Sequence, residues 1–91
     1  MKFHLFVQEG CRPCLYAKSQ LERVEGWKEA VILTEAKEDG KLTEFAKECG
    51  LQVTPTLVAI QDGKVVSAIS NSKQMTKGFW EKVKEISDNN K

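Results

Sequence analysis

Two cysteines three positions apart, in Glu9-Gly10-Cys11-Arg12-Pro13-Cys14, are the residues of this chain best suited to covalent chemistry. On a helix that spacing is one turn, within reach of the Cα separation of about 5.5 Å that a disulfide needs. The motif lies between an apolar, strand-like run and a helix-like run. Cys11 therefore falls at a helix N-terminus, where unpaired backbone N–H groups and the helix dipole favour a thiolate. A free thiol of pKa near 8.5 is only a few per cent ionised at pH 7. Bringing it to about 7, so that half is nucleophilic, takes roughly 2 kcal/mol. The dipole supplies about 0.3–1 kcal/mol, and Arg12 adds a screened contribution. The Cys14 N–H and S–H supply the rest by donating to the Cys11 sulfur, since Pro13 has no N–H to give. The pattern reads as a reversible dithiol–disulfide centre.

The flanking elements follow from periodicity. Phe3, Leu5 and Val7 alternate with Lys2, His4, Phe6 and Gln8, which predicts a buried strand over residues 2–8. Cys14, Ala17, Leu21 and Val24 share one stripe of a helix expected over 12–25, with Pro13 in its first turn and Gly26 ending it. Ala30 to Thr34 reads as a second strand, making the first crossover parallel and right-handed. Lys37 to Gly40 reads as a polar turn, and Leu42, Phe45, Ala46 and Cys49 mark a helix over 41–49 closed by Gly50. Thr54-Pro55-Thr56 leads into a strand over 57–60, and Asp62-Gly63 turns it into an antiparallel partner over 65–69. A last helix is expected over 75–87 with Phe79, Val83 and Ile86 inward, and a frayed end over 88–91. The order is β-α-β-α-β-β-α: an α/β domain with one mixed four-stranded sheet and helices on both faces.

Composition agrees with that scale. A chain of 91 residues makes one domain, 1–91, and 41% hydrophobic with 30% charged residues suits an ordinary globular protein. The net charge of +1 is interspersed, so neither a nucleic-acid partner nor a disordered acidic tail is expected. No apolar run reaches the ~20 residues of a membrane span. Met1 to Val7 is too short for a signal-peptide core and no small-residue cleavage site follows, so the expected location is the cytoplasm. In that compartment three cysteines do not form a structural disulfide framework, and a lone C-x-x-C beside a βαβ pattern reads as redox-active.

A C-x-P-C after the first strand, Thr54-Pro55 before a hairpin, and this element order together resemble the thioredoxin superfamily over nearly the whole chain. The length is similar to the minimal form of glutaredoxins and small phage or bacterial thioredoxins. The resemblance implies a thioredoxin-like fold with sheet order 2-1-3-4, the first and third helices on one face and the second on the other. It implies a cis Thr54–Pro55 bond, Cys11 as exposed attacking thiol and Cys14 as buried resolving thiol. Pro55 would pack against the cysteine pair and let Thr54 offer its backbone to an extended substrate, a form of strand addition. Arg12 and Pro13 would tune the Cys11 pKa and line the docking surface, with Ser70 and Asn71 beside it in the loop before the last helix. The implied activity is reduction of protein disulfides, a ribonucleotide reductase being one acceptor such proteins serve. No cofactor would be bound beyond the redox-active disulfide. Electrons would come from a reductase of the thioredoxin-reductase type or from glutathione, and the protein would act as a monomer.

The chain also departs from the family pattern. Gly10 stands where thioredoxins have Trp, Leu5 where they have a buried Asp, Asn71 where they have Gly, and Arg12 where they have Gly. The Pro-Tyr dipeptide and the Gly-Gly-x-x-Asp segment of glutaredoxins are absent, which favours a protein-disulfide reductase over a glutathione-linked glutaredoxin. A non-catalytic thioredoxin-like binding subunit is the other alternative, and a cluster or metal held through Cys11 across a dimer a third. Cys49 is expected as a small buried hydrophobe, and His4 as a sheet histidine rather than a ligand. Zinc is disfavoured because no second paired spacing accompanies Cys11 and Cys14. Trp27, Phe79 and Trp80 are expected in the core, an outward Trp80 marking a partner surface instead. Lys73, Lys77, Lys82 and Lys84 are expected on a solvated helical face.

Overall fold

A computed structural model describes residues 1–89. Six strands and four α-helices occur in the order β1 (Lys2–Val7), α1 (Arg12–Leu21), α2 (Trp27–Ala30), β2 (Val31–Glu35), β3 (Lys37–Glu38), β4 (Lys41–Leu42), α3 (Glu44–Glu48), β5 (Thr56–Gln61), β6 (Lys64–Ile69) and α4 (Lys77–Asn89). A 3₁₀ turn over Ser72–Gln74 precedes α4. The architecture is α/β with a mixed four-stranded sheet. Its order is β2-β1-β5-β6 rather than the expected 2-1-3-4, because the hairpin β3–β4 intervenes in the chain and makes a two-stranded sheet of its own. β1 pairs parallel with β2, Leu5 opposite Leu33, and antiparallel with β5, Leu5 opposite Leu57.

Being central, β1 is covered on both faces, which is why both of its alternating sets are largely apolar. Phe3 and Leu5 join Ala17 and Leu21 of α1, Trp80 and Val83 of α4, and Met75 in one cluster. Phe6 joins Val58, Ala46 of α3, Ala36 and Leu51 in the other. Trp80 is fully buried and its indole N–H donates to the Ala17 carbonyl at 3.1 Å, joining α4 to α1. It marks no partner surface.

Several boundaries differ from expectation. α1 stops at Leu21, where Arg23 and Val24 donate to carbonyls only three residues back. Gly26, at φ +78°, then turns the chain into the unforeseen α2. Lys37 to Gly40 is more than a turn: Asp39 and Gly40 both have positive φ and close a hairpin, as Asp62 and Gly63 do between β5 and β6. α3 begins only at Glu44, with the Thr43 hydroxyl accepting from the Ala46 N–H at 3.1 Å. α4 continues through Asp88 and Asn89, and the remainder of the expected frayed end, 90–91, lies outside the described residues. Its inward stripe is Trp80, Val83 and Ser87, with Phe79 half-buried and Ile86 exposed. On this helix Lys84 pairs with Asp88 at 2.8 Å rather than standing simply solvated.

His4 lies in the sheet, its Nδ1 3.0 Å from the Thr34 hydroxyl and its ring edge-on to Phe45. Burial first, and the Lys2 charge second, lower its pKa from 6.5. Between the folded and unfolded pKa values the unfolded chain binds the extra proton. This part of the stability is therefore present above 6.5 and is lost as pH falls from 6.5 through the lower folded value. Urea unfolding at about pH 7.5 and pH 5 should show wild type losing more stability on acidification than His4→Gln. Equal losses would contradict this.

Candidate functional site

The chain leaves β1 through Gly10 at φ +80°, a conformation in which any side chain would be strained. A Trp at this position would meet that strain. The turn brings Cys11 to the N-cap of α1 in extended conformation, φ −91° and ψ 106°. Its sulfur accepts the Cys14 N–H at 3.2 Å, and its carbonyl accepts the Leu15 N–H at 3.2 Å to close the first helical turn. Sulfur thus takes the place of the side-chain oxygen that usually caps a helix. Cys11 and Cys14 are joined as a disulfide, Cα atoms 5.2 Å apart. Cys11 is half-buried and Cys14 only 3% exposed, so a partner entering from solvent meets the Cys11 sulfur.

The loop before β5 supplies the facing wall. The Thr54–Pro55 bond is cis and Pro55 is fully buried. The Thr54 hydroxyl donates to the Cys11 sulfur at 3.5 Å, and its carbonyl oxygen lies 3.6 Å from that sulfur, where it can accept an S–H when the pair is reduced. Behind Pro55, the Thr56 hydroxyl donates to the Val53 carbonyl at 2.7 Å and lies 3.1 Å from the Ser70 hydroxyl. Ser70 therefore braces the Pro55 loop and is not itself seen at the sulfur. Asn71 caps the 3₁₀ turn, its side-chain Oδ1 accepting the Lys73 N–H at 3.0 Å, and is exposed in the loop before α4.

Arg12, Pro13, Cys11 and Thr54 line a groove of about 420 Å³ together with Lys37, Leu42, Leu51 and Val53. No motif in the sequence places these last four at the site. A larger hollow of about 610 Å³, between Arg23, Glu25 and α4, has no cysteine in its lining and does not touch the disulfide. Leu5 is fully buried in the central strand, with Leu33 and Leu57 as its strand partners. Glu9, Glu35, Lys18 and Lys37 line a hollow of about 430 Å³ that also touches Cys14.

Cys49 is a correction to the buried-hydrophobe reading. It caps the C-terminus of α3 and is only half-buried beside the second cluster, where burial first and Glu48 second raise its thiol pKa. Among the described residues no three His, Cys, Asp or Glu side chains stand close enough together to hold a metal ion, and no helix is long and apolar enough to cross a membrane. Neither a scan against protein-family models nor a search of the curated proteins finds a match to the chain. The functional assignment therefore rests on the chemistry of the site.

Proposed function

We propose that this chain is a thiol–disulfide oxidoreductase of thioredoxin-like fold that reduces protein disulfides through Cys11 and Cys14. One observation carries the reading: the accessible Cys11 sulfur caps a helix N-terminus and accepts the Cys14 N–H at 3.2 Å, with Cys14 buried one turn further in. That environment stabilises negative charge on Cys11 and keeps the second sulfur from competing for substrate.

In the reduced protein, the Cys11 thiolate attacks one sulfur of a substrate disulfide. A Cys11–substrate bond forms, the substrate S–S bond breaks, and the leaving thiolate takes a proton. Cys14 then loses its proton and attacks the Cys11 sulfur. The mixed disulfide breaks, the second substrate thiolate leaves and is protonated, and Cys11–Cys14 closes. Two electrons and two protons pass to the substrate. The Cys11–Cys14 disulfide of the structure corresponds to the end of this cycle. An external dithiol or glutathione must then restore the reduced pair, which suits a reducing compartment such as the cytoplasm. The Thr54 backbone beside Cys11 provides an edge along which an extended substrate segment can lie.

The test is reduction of insulin disulfides by dithiothreitol with and without the protein. Marked acceleration is expected, and none would reject the reading. Comparing turnover with thioredoxin reductase and NADPH against turnover with glutathione identifies the donor. Arg12 lies exposed next to the attacking sulfur. Arg12→Ala is expected to raise the midpoint of Cys11 thiolate formation by about half a pH unit. An unchanged absorbance titration would remove Arg12 from the tuning of that sulfur.

A further inference from the structure

Building on the reading of Cys11 as the attacking sulfur, we propose that the site selects disulfides in acidic peptide segments, and that Arg12 and Lys37 make the selection. The groove beside Cys11 has Arg12 and Lys37 as its only charged lining residues, with no carboxylate along it. Both cations are exposed. The ion pairs among the described residues are Lys47–Glu44 and Lys84–Asp88, so neither groove cation is held in a contact ion pair. Their field is left for whatever enters.

The carboxylates in the neighbourhood lie elsewhere. Glu9, Glu35 and Asp39 line the next hollow, which shares Lys37 with the groove. Lys37 lines both hollows, whereas Arg12 lines the groove and not the acidic hollow, so the positive field over the groove is carried chiefly beside Cys11. The acidic trio also repels a negative segment from that side and leaves it the path along Thr54. The groove continues over the apolar side chains of Leu42, Leu51 and Val53, the last 54% exposed. That surface suits the alternating side chains of an extended peptide better than a small disulfide, which would leave it bare. The occupant is therefore a peptide strand bearing Asp or Glu close to its disulfide cysteine. Lys37 reaches the groove because the Asp39-Gly40 turn folds residues 37–42 into the hairpin β3–β4.

The experiment compares two disulfide-containing peptides that differ only in Asp/Glu or Lys beside the reactive cysteine. Oxidised glutathione and neutral hydroxyethyl disulfide are run alongside, all with the full chain. For wild type, kcat/KM is expected to favour the acidic peptide about tenfold at low salt, moving toward parity as salt rises. In Lys37→Glu the ratio of acidic to basic peptide is expected to fall to about one or below. Equal rates on the two peptides, with hydroxyethyl disulfide still reduced, would overturn the selection while leaving the reductase reading intact. A ratio unchanged in Lys37→Glu would overturn the role of Lys37. Oxidised glutathione outpacing the acidic peptide would overturn the peptide assignment in favour of a small anionic disulfide. Failure to reduce even hydroxyethyl disulfide would overturn the reductase reading and the selection with it.

Discussion

Cys11→Ser is expected to remove disulfide reduction almost entirely, by on the order of 10³-fold or more, because a serine hydroxyl is not ionised at neutral pH and cannot form a mixed disulfide. Cys14→Ser is expected to lose turnover as completely but to stop one step later. Its Cys11 sulfur still caps α1, and the residue 14 N–H that it accepts belongs to the backbone and survives the substitution. That variant should therefore attack a substrate disulfide and remain attached to it. Intact mass should show an adduct that dithiothreitol removes, absent from Cys11→Ser. Cys49 is the chain's other thiol and caps α3 in the second cluster. A Cys49→Ser background excludes adducts at that position. If both single variants kept full activity, the cysteine pair would not be the reducing group. If Cys14→Ser formed no adduct, Cys11 would not be the sulfur that attacks first.

The largest effect on stability is expected at Trp80. It is fully buried among Leu5, Leu21, Met75 and Val83, and its indole N–H satisfies the Ala17 carbonyl at 3.1 Å. Trp80→Ala removes that bond and leaves a cavity between the sheet and two helices, a loss of about 3–5 kcal/mol. For a domain of this size each kcal/mol moves Tm by about 4–8 °C, so the midpoint should fall by at least about 12 °C. Such a loss is a large part of a total stability of about 5–15 kcal/mol. Trp27 is only half-buried, and Trp27→Ala should cost clearly less. Calorimetry or urea titration of both variants decides the matter. Near-equal losses would mean that α4 is not anchored through Trp80. The same anchor bears on chemistry, because α1, which Trp80 grips through Ala17, is the helix that Cys11 caps.

How far the sequence discloses the fold and the site depends on the range of the signal. The Cys11–Cys14 spacing and the glycine before it act within one helical turn, so the site's nucleophilic half is legible locally. Asp62-Gly63 is legible because strand-like runs flank it on both sides. The identical Asp39-Gly40 is masked by Lys37-Glu38 and Lys41-Leu42, arms of only two residues with no alternation to read. That hairpin accounts for the altered strand numbering and brings Lys37 to the groove. No local pattern relates residue 37 to residue 11, because their proximity depends on how the chain returns after β2. The inward stripe of α4 is ambiguous for another reason. Phe79, Val83 and Ile86 fit the helical period as well as Trp80, Val83 and Ser87 do. The fold buries the larger indole, whose N–H finds a carbonyl, and leaves Ile86 45% exposed. Ser70 meets Thr56 fourteen residues back in the chain, a contact that only the folded path defines, whereas Asn71 serves the Lys73 N–H two residues on.

The most direct measurement is a titration of the reduced protein by thiolate absorbance near 240 nm, taken as wild type minus Cys11→Ser. Helix-capping by the Cys11 sulfur should give a half-ionised thiol at about pH 7, well below the 8.5 of a free cysteine. A Cys11 still protonated at pH 8 would contradict the assignment of that sulfur as the attacking group.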